Sequence, residues 1–314
     1  MKNLLANILR TISFFLLLPG FAIAQPPTVA LLPPGGQPRV LIVVAHPDDE
    51  VCFAATVYEI THNLGGTVDQ LVVTDGEGGY RYSLLAESYY GVALTDEAVG
   101  RAELPEIRKR ELLDAGRILG ITNNFFLDEL DLHYTQDIEE VLGTHWHPGV
   151  VLPAIQRRLE GGNYDFVFAL FPSPQTHGGH KAATISALNA VQQMAGRKPV
   201  VLGCQNERNG APAPSWKGFE SPKHPFTVLP QVYSTDRNVK FGFRDALSYQ
   251  VIVSWMIAAH KSQGMFQAGL IRGDREEFAV LESGATDEAA RADALFKALA
   301  EKAPHPKGVP APAH

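Results

Sequence analysis

The run Val40-Leu41-Ile42-Val43-Val44-Ala45 breaks directly into His46-Pro47-Asp48-Asp49-Glu50, and no other stretch constrains the chain as much. Six consecutive apolar residues, mostly β-branched, read as a strand covered on both faces, the pattern of a parallel sheet. An imidazole and three carboxylates follow at its carboxyl end, which is where open α/β sheets bind ligands. A histidine and a carboxylate suit a divalent metal such as zinc, and a second carboxylate left free can activate water. One ligand is then missing, and His177-Gly178-Gly179-His180 can supply it.

The rest of the chain repeats the strand-then-helix rhythm. Strand-type runs are predicted at Val40 to Ala45, Val68 to Thr74, Asn124 to Leu127, Asp165 to Leu170 and Pro199 to Gly203. Helical spacing is predicted over Glu50 to Asn63, Pro105 to Leu119, Val150 to Leu159, Gly179 to Met194 and Asp245 to His260. Alternation of this kind implies βαβ units, hence an α/β, Rossmann-like three-layer domain with a mostly parallel sheet. Two stretches, Asp75 to Leu104 and Cys204 to about Phe226, read as long connectors rich enough in aromatics to wall a substrate site.

Residues 1–24 place Lys2 and Arg10 before an apolar core and end in Ala22-Ile23-Ala24, the form of a cleaved secretory leader. Pro19-Gly20 interrupts that core, which is shorter than the ~20 apolar residues of a membrane span. Residues 25–38 read as a flexible lead-in, 39–302 as the folded domain and 303–314 as a Pro-rich tail, in a protein expected to be exported to a periplasmic or extracellular space. The formal net charge of −7, with Arg108-Lys109-Arg110 the largest basic cluster, argues against nucleic acid or an anionic membrane as partner. Cys52 and Cys204 do not make a disulfide framework and are expected as buried thiols.

In a strand followed by His-Pro-Asp-Asp-Glu, one aspartate would serve simply as a helix cap, but capping explains neither His46 nor the pair of acids. His177 and His180 follow the Asp165 to Leu170 strand, again at a carboxyl end, so two loops can converge. Weaker candidates are His145-Trp146-His147, expected as a surface loop with an aromatic plug, and His260, expected to be structural. Gly76-Glu77-Gly78-Gly79 has the wrong spacing for a dinucleotide fingerprint.

Taken in order, these segments resemble the PIG-L/LmbE family of zinc-dependent N-acetylglucosaminyl deacetylases. The resemblance rests on Ala45-His46-Pro47-Asp48-Asp49-Glu50 and on the His-x-x-His element about 130 residues later. It extends to Thr74-Asp75-Gly76-Glu77-Gly78-Gly79, Arg108-Lys109-Arg110-Glu111 with Leu119-Gly120, and Ala259-His260-Lys261-Ser262-Gln263. It implies one Zn2+ per chain held by His46, Asp49 and His180, with Asp48 as general base and His177 polarising the carbonyl or stabilising the oxyanion. By the same resemblance Arg108 and Asp131 would contact substrate. One departure stands out: the family's second motif usually has aspartate just before the last metal ligand, and here that place is Gly179.

The expected function is removal of an N-acetyl or other small N-acyl group from an amino-sugar-containing small molecule or glycan. Two rivals use the same residues: a metal-dependent amidase acting on a larger amide, and a carbohydrate-binding relative that has lost catalysis at Gly179.

Overall fold

In the computed structural model, which describes residues 31–302 apart from 33–35, 132, 148, 208–209, 211–214 and 265–272, β1 (Arg39–Val44) runs through the interior of a seven-stranded sheet. The expected leader, most of the lead-in and the Pro-rich tail lie outside the described residues. β2 (Thr67–Thr74) and β3 (Asn123–Glu129) stack on one side of β1; β4 (Phe166–Leu170) and β5 (Val200–Glu207) stack on the other, all parallel. The far edge is completed by β6 (Val228–Asp236) and, between it and β5, the later strand that runs antiparallel to both. A two-stranded ribbon, β7 (Lys240–Phe241) with β8 (Leu247–Ser248), precedes that strand, β9 (Arg275–Leu281).

The helices are α1 (Ala54–Tyr58), α2 (Leu84–Tyr90), α3 (Glu97–Leu119), α4 (Ile138–Glu140), α5 (Val151–Gly162), α6 (Gly178–Gln193), α7 (Tyr249–Ala259) and α8 (Glu288–Lys302). Because side chains alternate along a strand, β1 feeds two cores. Val40, Ile42 and Val44 join Phe53, Phe168 and Phe278 on one face; Leu41 and Val43 join Ile155, Leu188 and Val191 on the other. That two-sided burial is why the run is continuously apolar. Among the described residues no helix is long and apolar enough to cross a membrane.

Several elements differ from expectation. The Glu50 to Asn63 helix is a succession of one 3-10 turn (Asp49–Phe53), α1, and a π turn (Glu59–Asn63). The expected start of α3 at Pro105 is wrong by two turns: Asp96 caps the helix by accepting from the amides of Ala98 at 3.0 Å and Val99 at 3.1 Å, and Pro105 lies inside it. An interior proline removes one backbone bond, which the rest of this 23-residue helix absorbs. In consequence Asp75 to Leu104 is no open connector, since it contains a 3-10 turn (Glu77–Tyr82), α2 and the start of α3. The second supposed connector begins as β5, and its Trp216, Phe219 and Phe226 pack on the core. The late helix starts at Tyr249, after β8, four residues beyond the expected Asp245.

The chain builds β1, β2 and β3 outward in one direction and then returns to the other side of β1 with β4. The carboxyl ends of β1 and β4 therefore flank a topological switch point, the crevice in which such sheets bind ligands.

Candidate active site and metal centre

Both loops that carry the sequence motifs open into that crevice, a cleft of about 470 Å³ lined by His46, Asp48, Asp49, Arg108, Asp131, His177 and His180 among others. All seven residues singled out from sequence thus meet at one place. His46 and Asp49 come from the turn after β1, and His177 and His180 from the first turn of α6. Asp49 Oδ2 accepts from the amides of Ala45 at 3.1 Å and His46 at 2.8 Å, so the turn that presents the imidazole is tied by the same carboxylate. Asp48 is held at φ 144°, a strained conformation for a side-chain-bearing residue, and strain of this kind gathers at functional sites.

The donor atoms converge. His46 Nδ1 is 3.0 Å from His180 Nε2 and 3.4 Å from Asp49 Oδ2, and His180 Nε2 is 3.1 Å from Asp49 Oδ1. Zinc bonds of 2.0–2.1 Å in a tetrahedron set ligand atoms roughly 3.3 Å apart, so this trio fits the ion. The charges fit as well. Burial works against the His46 cation, yet Asp131 and Asp49 outweigh it and raise its pKa to about 10. Burial opposes ionisation of Asp49 too, but His180 and His46 hold its carboxyl well below the usual range. The cluster is built to take positive charge.

Asp131 lies 3.5 Å from the other nitrogen of His46, Nε2, which makes it the carboxylate that orients the imidazole as well as part of the cleft wall. Arg108 lies deeper than a substrate contact expected from sequence: only 2% exposed, its guanidinium donates to the carbonyls of Gly76 at 2.6 Å and Pro47 at 2.8 Å and pairs with Asp48 at 3.1 Å. A Cβ on Gly76 or Gly79 would come within 2.6 Å or 2.5 Å of Arg108 Nη1, so the glycines of the second motif make room for this guanidinium. Burial pushes the Asp48 carboxyl up, while Arg108 pulls the other way.

His177 stacks on Tyr134, with ring centroids 4.9 Å apart, and its Nε2 is buried with no hydrogen-bond partner among the described residues. Burial, then the neighbouring His46 and His180, pushes this imidazole down to about 3. A Cβ on Gly179 would sit 3.3 Å from His177 Nδ1. The aspartate usual at that position would therefore abut His177, and here no carboxylate takes that place.

The last motif closes the base of the site. His260 Nε2 meets Glu50 at 2.6 Å; Ser262 gives its amide (2.8 Å) and hydroxyl (2.5 Å) to Glu111; Gln263 donates to the carbonyl of Gly79 at 3.2 Å. Behind it, Glu276 of β9 accepts from the amides of Ala55 and Thr56 at 2.8 Å each and pairs with Arg237 at 2.9 Å, anchoring α1. Sequence reasoning missed Tyr134 and Gln263 as cleft residues; Gln263 stood inside a quoted motif, whereas nothing around Tyr134 marked it.

The PIG-L family model, described as GlcNAc-PI de-N-acetylase, matches residues 41–191. No curated protein matches the sequence. Among solved structures, A40926 pseudoaglycone deacetylase is 17% identical over 80% of this chain and 100% of its own, at a TM-score of 0.50. The zinc-inhibited form of teicoplanin deacetylase is 16% identical over 80% of this chain and 99% of its own, at 0.50. A triple mutant of a deacetylase in the teicoplanin biosynthetic pathway has the same identity and coverage, at 0.53. At such identities these likenesses concern the fold, an LmbE-like α/β sheet. The stretch matched by the PIG-L family model, residues 41–191, includes every side chain of the converging cluster and its Arg108 and Asp131 supports.

Proposed function

We propose that the chain is a zinc-dependent N-deacetylase that hydrolyses an N-acetyl or other small N-acyl group on an amino-sugar-containing substrate. The observation that carries this reading is the convergence of His46 Nδ1, His180 Nε2 and the Asp49 carboxylate within 3.0–3.4 Å of one another, with a separate acid, Asp48, beside them. The PIG-L match and the deacetylase neighbours support the same class of chemistry.

His46, Asp49 and His180 would hold the zinc. Bound there, the ion supplies Lewis acidity, polarising the acyl carbonyl and making water a nucleophile at neutral pH. Asp48, fixed by Arg108, receives the proton of the attacking water and returns it to the departing amine. His177, neutral and with an unsatisfied Nε2, donates to the oxygen on which charge develops. Asp131 keeps the His46 ring in register. The expected leader would carry the enzyme out of the cytosol, toward extracellular amino sugars, chitin fragments or envelope glycans.

The test is acetate release from N-acetylglucosamine, its short oligomers and larger N-acyl amides, with zinc content measured on the same sample. Release from the sugars, lost by about 10²–10⁴-fold in Asp48→Asn with zinc retained, is the expected result. Sugar binding without acetate release from a zinc-loaded sample would overturn the reading in favour of a binding protein, and preference for larger amides would favour an amidase.

A further inference from the structure

A second group of metal donors, one of which, His133, stands on the wall of the same cleft, takes no part in the proposed mechanism. His133 Nε2 lies 2.9 Å and His145 Nε2 3.4 Å from a single oxygen of Glu140, and the three donor atoms fall within 4.8 Å of one another. Two imidazoles and a carboxylate form a donor set that zinc accepts, and these separations bracket the roughly 3.3 Å spacing of its tetrahedral ligands.

The backbone is shaped to make the group. After α4 the chain forms a π turn, Val141–His145, closed by the amide of Trp146 on the carbonyl of Val141 at 3.0 Å. In an α-helix residues five apart diverge, whereas the wider π turn brings Glu140 and His145 to one side; π turns are rare and gather at functional sites. The cluster is also graded in exposure. The His145 side chain is 7% exposed and that of His133 57%, so the group is anchored at its inner end and reachable from water at its outer one.

We infer that His133, Glu140 and His145 form a second divalent-cation site of zinc type, whose occupancy pins His133 to the α4 turn. Asp131 and Tyr134, on either side of His133 in the chain, both reach into the first site. Asp131 lies 3.5 Å from His46 Nε2, and Tyr134 stacks on His177. A cation on His133 therefore fixes the residues that orient His46 and flank His177, and the second site tunes the first. The binding half of this inference stands whether or not the deacetylase reading holds; the tuning half rests on it.

The experiment is titration of the full, metal-free chain with Zn2+ alone, counting bound equivalents by elemental analysis after buffer exchange and by calorimetry. Two equivalents are expected for the unaltered chain. Glu140→Gln and His145→Gln should each bind one, with turnover at one equivalent unchanged, while Asp49→Asn should lose the tighter equivalent and keep the weaker. Turnover of the unaltered chain should change when the second equivalent binds, and turnover of Glu140→Gln should not. A single equivalent in the unaltered chain, or two in a folded Glu140→Gln, overturns the site. Two equivalents with identical turnover at one and at two overturns the tuning.

Discussion

Arg108 Nη2 lies 3.1 Å from Asp48 Oδ2, with both side chains buried and the same guanidinium bound to the carbonyls of Pro47 and Gly76. Lysine keeps the charge but lacks the planar fork that serves three acceptors at once. Arg108→Lys should therefore lower kcat by about 10–100-fold while the bound zinc stays at one equivalent for the first site. Arg108→Ala leaves Asp48 as an unpaired buried charge and should cost roughly 3–5 kcal/mol in urea unfolding. An unchanged kcat in Arg108→Lys would show that Asp48 does not depend on this contact.

Gly179 gives a gain-of-function test. Its Cβ position is 3.3 Å from His177 Nδ1 and 3.5 Å from the Ala45 Cβ, close enough that His177 must shift by a few tenths of an ångström to admit a side chain. Gly179→Asp would set a carboxylate beside Nδ1 and make the ring more basic, favouring the doubly protonated form in which Nδ1 donates to that carboxylate and Nε2 keeps its proton for the oxyanion. We expect kcat to rise by about 10-fold or more and the pH profile to move with it, whereas Gly179→Asn, with the same steric demand and no charge, leaves the profile in place. Identical profiles for the two variants would refute a role for charge at this position.

The central strand and the convergence of the two histidine loops were legible because they rest on short-range signals: a continuous apolar run, a proline after histidine, and a second pair of histidines following another strand. The start of α3 was not, because Pro105 is a stronger local start signal than Asp96, and the extra two turns rest on non-local packing, with Leu104 in one cluster with Tyr80, Ala86 and Leu94. β9 was missed for a different reason. The adjacent acids Glu276 and Glu277 interrupt any strand-type apolar run, yet both are buried, because Arg237, the amides of Ala55 and Thr56, and Arg275 satisfy them. Arg108 was recognised as a site residue, but its depth depends on glycines about 30 residues earlier, a contact that no local pattern encodes.

Glu59 should make stability fall with pH. Burial, then Glu276, pushes its carboxyl up to about 8, with a hydrogen bond from Tyr249 acting the other way. The folded chain therefore holds a proton that the unfolded chain, with a value near 4.5, has released, and stability declines as pH rises through that window. At about 1.4 kcal/mol per pH unit, Glu59→Gln should remove roughly 2–3 kcal/mol of the decline between about pH 5 and pH 7. Urea unfolding at several pH values reads this directly, and parallel slopes in the two proteins would assign the decline to other groups.

His260 and Glu50 form an ion pair sealed from water, 2.6 Å apart and at most 1% exposed. Among the described residues the other hydrogen bond to Glu50 comes from the Gln70 amide at 3.5 Å, too distant to satisfy it alone. His260→Phe thus strands a buried carboxylate and should cost roughly 3–5 kcal/mol. Removing both charges together, as in Glu50→Leu with His260→Phe, should cost much less than the sum of the single changes, because the desolvation penalty of each ion disappears with its partner. If the double variant unfolds as easily as the sum predicts, the pair is not an isolated unit. In that case the reach of His260 toward Asp48, which raises the His260 pKa alongside Glu50, carries part of its stabilising effect and ties the base of the fold to the proposed general base.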